Sequence, residues 1–159
     1  MAVGRALPET SLVLDTNILT AWRYQKRGIL EAIDAYQSRL KLLPALSAMT
    51  VYEALYGFEN ALVKAQGDND QNRLDRIKTE GLINSCMVLP FNQDAAKISA
   101  YIVPRLPKNI PKNTLLDALI AATALAHGHG VATRNSEDFN LIGQHTPGDL
   151  ALRLAIWTP

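Results

Sequence analysis

Four acidic residues, Asp15, Glu53, Asp117 and Asp138, have the type and placement for metal-assisted chemistry. Asp15 follows a short apolar run, Ser11-Leu12-Val13-Leu14, at the point where a buried strand would stop. The other three share a pattern. Thr50, Thr114 and Asn135 are each followed three positions later by an acid: Glu53, Asp117 and Asp138. A capping box at a helix start would explain each of them alone, and the helix dipole favours an acid there. Asp15 could likewise cap a helix opening at Thr16-Asn17-Ile18. Capping explains Asp117 poorly. Its surroundings, Leu115-Leu116-Asp117-Ala118-Leu119-Ile120-Ala121-Ala122, are apolar almost all round. An unpaired carboxylate there would be costly, and a divalent cation would relieve the cost. Hard oxygen ligands suit Mg²⁺ or Mn²⁺. Acid-only sites of this kind serve phosphodiester hydrolysis by a metal-activated water.

The elements that must position these acids alternate between strand and helix. Strands are expected at 11–14, 42–46, 86–89, 131–133 and 150–157, the second weakened by Pro44. Helical spacing covers 18–24, 28–40, 48–64, 93–105 and 114–127, with a polar, exposed helix at 72–82. Pro104, Pro107 and Pro111 mark a loop, and Gly128 and Gly130 end the helix before them. This alternation predicts an α/β chain with a mostly parallel central sheet and helices on both faces. In such sheets, strand carboxyl ends and the following helix amino ends share one edge, where ligands bind. All four acids fall on that edge, where they would repel one another without a cation between them.

The length of 159 residues suits one domain spanning 1–159, and an apolar content of 48% is ordinary for a globular chain. Net charge is +1, so attraction to a polyanion must be local. Arg23, Lys26, Arg27, Arg105, Lys108, Lys112 and Arg134 are candidates, with plain surface charge the alternative for each. Cys86 is the only cysteine, which excludes an intramolecular disulfide and fits a cytoplasmic setting; a core position suits it better than a nucleophile's role. The first nine residues lack the apolar run of a secretory signal. The apolar stretch 115–126 is too short to span a bilayer, so no membrane association is expected.

Four segments resemble the motifs of PIN-domain nucleases, in family order and across nearly the whole chain. They are Leu14-Asp15-Thr16-Asn17-Ile18-Leu19, Thr50-Val51-Tyr52-Glu53-Ala54-Leu55-Tyr56-Gly57, Asp117-Ala118-Leu119-Ile120-Ala121-Ala122 and Thr133-Arg134-Asn135-Ser136-Glu137-Asp138-Phe139. The length and the Tyr56-Gly57 pair resemble the VapC-type toxins of toxin–antitoxin pairs. The resemblance implies a PIN-like three-layer α/β/α sandwich and an Mg²⁺- or Mn²⁺-dependent endoribonuclease. It also implies a homodimer and a cognate antitoxin that blocks the site. Asp15 and Asp117 map to the principal metal-binding acids and Glu53 to the third. Asp138 or Asn135 fills the fourth position. Thr16, Asn17, Thr133 and Asn135 are expected to orient the carboxylates or a water. The early helices, 18–40, are the expected antitoxin surface, with Trp22 and Tyr24 as anchors and a core role the alternative for Trp22.

Other chemistries fit less well. An aspartyl-phosphate enzyme would want a second acid where Asn17 stands, and a receiver-like module would want a lysine at a late strand end. His127-Gly128-His129 lacks further ligands at zinc-site spacing and reads better as a helix end. An RNA-processing nuclease without a toxin role, or a silent RNA- or partner-binding module of the same fold, stays open as an alternative. Intact acids at all four motifs count against the silent one.

Overall fold

The computed structural model describes residues 11–64 and 67–159. The amino-terminal residues 1–9, read above as lacking a secretory signal, lie outside the described residues. The elements follow in the order β1 (Leu12–Leu14), α1 (Thr16–Arg23), α2 (Arg27–Leu40), β2 (Ala45–Ser47), α3 (Ala48–Leu62) and α4 (Asp70–Ser85). Then come β3 (Val88–Leu89), α5 (Gln93–Ile102), a 3-10 turn (Val103–Arg105), α6 (Lys112–Ala126), β4 (Gly130–Thr133), α7 (Ser136–Gly143) and β5 (Leu154–Ile156).

The five strands form one sheet in the order β3-β2-β1-β4-β5, and every pairing is parallel. Parallel strands need crossovers, which the helices supply. In β1, successive side chains face opposite ways and are buried on both sides. Val13 joins a core with Ile102, Ala118, Ala121, Val131 and Phe139, under α5, α6 and α7. Leu12 and Leu14 join a second core with Ile18, Leu19, Ile29, Ile33, Tyr36 and Ile83, under α1, α2 and α4. Two cores on either side of one sheet make the three-layer sandwich. Tyr36 also crosses into the sheet: the Leu12 backbone N–H donates to its hydroxyl at 2.9 Å. At the far edge, Gly130 lets β5 approach, since a Cβ there would stand 2.8 Å from the Arg153 carbonyl oxygen.

Several elements differ from the sequence reading. Helix α3 is capped by Ser47, whose Oγ accepts from Thr50 N at 3.0 Å. Helix α6 opens at Lys112 after Pro111. Thr50 and Thr114 are therefore buried third-position residues rather than caps, and Glu53 and Asp117 lie a turn deeper than a capping box would put them. Of the three capping-box starts, only that at Asn135 is as expected, its side chain accepting from Glu137 N at 3.1 Å with Asp138 in the first turn. Helix α4 is longer than 72–82 and not wholly exposed, because it buries Asp75, Thr79 and Ile83 against its neighbours. Among the described residues, no helix is long and apolar enough to cross a membrane.

Candidate active site

Asp15 sits where the register of the sheet leaves it. Leu14 pairs with Ala132, so the next position on each strand brings Asp15 beside Thr133. The Asp15 N–H donates to the Ala132 carbonyl at 2.9 Å. Its carboxylate then serves two ends at once. Oδ1 accepts from the Thr16 N–H at 2.7 Å, which caps α1, and Oδ2 accepts from the Thr133 hydroxyl at 2.8 Å. Thr133 Oγ1 in turn accepts from Asn135 N at 3.0 Å, which leads the chain into α7. Cap and site are thus the same residue. Asp15 is 5% exposed, so both oxygens are fixed by these partners.

Two helices bring the next acids to this edge. The Thr50 hydroxyl is within hydrogen-bond reach of the Leu14 carbonyl (3.3 Å) and of Ser47 Oγ (3.1 Å). This ties the first turn of α3 to the end of β1 and sets Glu53 one turn on. In α6, Ala118, Ala121 and Ala122 are buried against the sheet. Asp117 projects beside them, partly open to solvent. From α7, Asp138 acts on Asp117 both through its charge and as a hydrogen-bond partner for the protonated form, and both raise the Asp117 pKa.

Charge shows how these groups are coupled. Burial, followed by the charges of Asp15, Asp138 and Glu53, pushes Asp117 from the usual 3.8 up to about 8. Burial also raises Asp15, to about 6. The hydrogen bonds from Thr133 and Thr16 hold Asp15 back, while Glu53 and Asp138 push it up. Four carboxylates therefore feel one another, and the cluster holds more negative charge than it can bear when ionised.

Such a donor set fits a hard divalent cation. Among the described residues, no three His, Cys, Asp or Glu side chains stand close enough together to share one ion. Mg²⁺ does not require three, because it keeps several waters and is commonly held by one or two carboxylates. Asp15 and Asp117 are the acids whose ionised forms most need a counter-charge.

The other expected residues have definite places. Asn17 Oδ1 lies 3.4 Å from the Arg134 N–H that donates to it, linking α1 to the turn after β4. The Thr16 hydroxyl is buried without a hydrogen-bond partner. Asn135 turns toward α7, and Asp138 rather than Asn135 makes the contact with Asp117. Trp22 is half-buried and packs against the second core, whereas Tyr24 is exposed. The histidines bind backbone, His127 Nε2 to the Pro90 carbonyl (3.0 Å) and His129 Nδ1 to the His127 carbonyl (2.8 Å). Cys86 is half-buried, and burial raises its thiol pKa, as suits an inert packing residue. Sequence reasoning missed Ser47. Its signal was Ser47 three residues before Thr50, a pattern that competes with Thr50 before Glu53.

A cleft of about 390 Å³ opens beside Glu53 and Thr16 between α1, α3 and α4. Arg23, Tyr24, Phe58, Asn72 and Asp75 also line it. The Arg23 guanidinium lies over the Tyr24 ring (4.6 Å) and near that of Phe58 (5.5 Å), and donates to Thr79 at 3.2 Å.

Residues 12–143 match the PIN domain family. The VapC ribonuclease Y4jK of Sinorhizobium fredii is 34% identical over 134 residues, which cover 83% of this chain and 92% of that protein. Two solved assemblies contain similar chains. VapBC2 from Rickettsia felis, bound to a promoter DNA fragment, gives a TM-score of 0.69 at 18% identity, covering 92% of this chain and 98% of that one. A toxin–antitoxin complex from Klebsiella pneumoniae gives 0.59 at 25% identity, covering 81% and 90%. With its parallel sheet, its acids on one edge and these relatives, the chain belongs to the PIN domain family, and within it to the VapC type.

Proposed function

We propose that the chain is an endoribonuclease that hydrolyses RNA phosphodiester bonds with the help of Mg²⁺ or Mn²⁺, and that it is the toxin of a toxin–antitoxin pair. The observation that carries this is the arrangement of acids at the sheet edge: Asp15, buried and held by Thr16 and Thr133, shares it with Asp117, a partly buried carboxylate on which Asp15, Asp138 and Glu53 all act. An arrangement so costly to ionise is expected where a cation completes it. The likeness to a VapC ribonuclease supports RNA as the substrate, and the likeness to toxin–antitoxin complexes supports the partner.

In this proposal Asp15 and Asp117 would hold the cation, with Asp138 bracing Asp117. Thr133 and the Thr16 backbone keep the Asp15 carboxylate in one orientation, so it needs no rearrangement on binding. Glu53, half-exposed at the mouth of the cleft, takes the proton of the attacking water. The cation supplies Lewis-acid polarisation of a phosphoryl oxygen and lowers the pKa of the water. An antitoxin segment lying in the cleft beside Glu53 would block access. Homodimerisation and a cytoplasmic setting complete the proposal.

Cleavage of single-stranded RNA should need Mg²⁺ or Mn²⁺ and stop with EDTA. Asp15→Asn and Asp117→Asn should each lower the rate by more than about a hundredfold while the circular dichroism spectrum stays native. Wild-type rates in both variants, with contaminating nuclease excluded, would sink the carboxylate mechanism. Expression alone should arrest growth, and co-expression of the neighbouring gene should restore it. Harmless expression of an active protein would favour RNA processing instead.

A further inference from the structure

Helix α3 carries two tyrosines that the fold does not use. Its apolar face is taken by Val51, Ala54 and Leu55, which pack against the second core. Tyr52 and Tyr56 lie beside that face, 49% and 47% exposed. They are one helical turn apart, with ring centroids 5.8 Å apart and planes inclined at 30°. Both flank Glu53, which is adjacent to Tyr52 in sequence and one turn before Tyr56. Lys112, the first residue of α6, places its Nζ 5.6 Å from the Tyr56 ring centroid. Helix α6 is also the helix that presents Asp117. Beyond Lys112 runs a surface groove lined by Lys108, Pro107, Pro111 and Leu115.

We propose that Tyr52, Tyr56 and Lys112 form a stacking platform that seats unpaired bases of an RNA strand beside the acid cluster. It rests on the ribonuclease assignment above and adds how the strand is held. Aromatic faces stack on any base, and neighbouring cations meet the backbone phosphates. The cluster of acids repels a polyanion, and a net charge of +1 gives no general attraction. Positive charge close to the acids must therefore do the seating, and Lys112 is placed for it. Tyrosines also suit a protein interface, but Lys112 beside the Tyr56 ring and Lys108 along the adjoining groove suit a polyanion.

The test uses the full chain carrying Asp117→Asn, which binds without cutting. Anisotropy of a short, unstructured, fluorescein-labelled RNA is compared with that of the same sequence as a duplex. Tyr52→Ser with Tyr56→Ser should weaken single-strand binding about tenfold or more and leave duplex binding unchanged. Tyr52→Phe with Tyr56→Phe should restore it, since the rings and not the hydroxyls stack. Lys112→Gln should reduce the slope of log affinity against log salt by about 0.7. In the active protein the serine pair should raise KM and leave kcat in place. Unchanged affinity in the serine pair, or failure of the phenylalanine pair to restore it, overturns the platform. So does a parent dimer, seen by sedimentation, that the serine pair breaks apart. If the active protein cuts RNA while the tyrosine variants bind normally, only the platform fails. If it neither cuts nor binds RNA, the ribonuclease assignment fails and the platform with it.

Discussion

Replacing Asp117 by asparagine should make the cation-free protein more stable at neutral pH. Asp117 is raised from 3.8 to about 8 and Asp15 from 3.8 to about 6. Both shifts run opposite to those of a salt-bridged acid. A carboxyl with a raised folded pKa holds its proton more tightly when folded than when unfolded. Stability is therefore undiminished below about pH 4, falls as pH rises, and has lost the whole Asp117 share above about pH 8. At about 1.4 kcal/mol per pH unit, a fully buried Asp117 that keeps its proton at neutral pH, where the unfolded chain has lost it, would cost ~4 kcal/mol. The side chain is partly exposed, and solvent screening cuts this to about half, ~2 kcal/mol. For a chain of 159 residues, that is a rise in Tm of ~4–8 °C for Asp117→Asn. Asparagine keeps the size of the side chain and can still donate to Asp138. Thermal melts in EDTA at about pH 5 and about pH 8 read the effect directly. The gap between variant and wild type should widen at the higher pH. Mg²⁺ should then raise the wild-type Tm more than the variant's. A variant no more stable than wild type at the higher pH, or a gap that does not grow with pH, would refute the charge argument.

Three further outcomes follow from single contacts. Thr133→Val removes the hydroxyl that donates to Asp15 Oδ2, so the Asp15 pKa should rise above 6 by about one pH unit, read by NMR titration of the carboxyl carbon without metal. A pKa that stays or falls would show that the hydrogen bond does not favour the charged form. Ser47→Ala removes the cap of α3 and a partner of Thr50, and should cost about 1 kcal/mol in denaturant melts. Gly130→Ala pushes a Cβ toward the Arg153 carbonyl and Leu12, and should cost ~1–3 kcal/mol, with faster amide exchange in β5 than in β1.

The alternation of strand and helix was legible because the strands are short apolar runs and most of the helices carry an apolar stripe or, like α6, are apolar almost all round. The edge holding the acids was legible for the same reason: Asp15 ends β1, and the other acids lie in early turns of α3, α6 and α7. Strand order was not, since the β2-β1-β4 pairing depends on contacts far apart in sequence. Helix starts were misjudged at Thr50 and Thr114. Both threonines look like caps, yet their hydroxyls are buried, and Ser47 or a simple proline start does the capping. The choice between Asn135 and Asp138 was equally closed to sequence, because both lie within four residues. In the structure Asn135 caps its own helix, while Asp138 is one of the acids that raise the Asp117 pKa. The tyrosines of α3 were legible as part of a motif, but not their exposure or their pairing, because exposed aromatics carry no periodic signal.

The cation site is the claim on which the rest depends, and Mn²⁺ makes it visible. A crystal soaked in Mn²⁺ and measured at the manganese absorption edge should show an anomalous peak in contact with the carboxylates of Asp15 and Asp117, and no such peak in Asp117→Asn. A cleavage-competent crystal form with no peak at these two residues, or with its only peak elsewhere, would contradict the assignment.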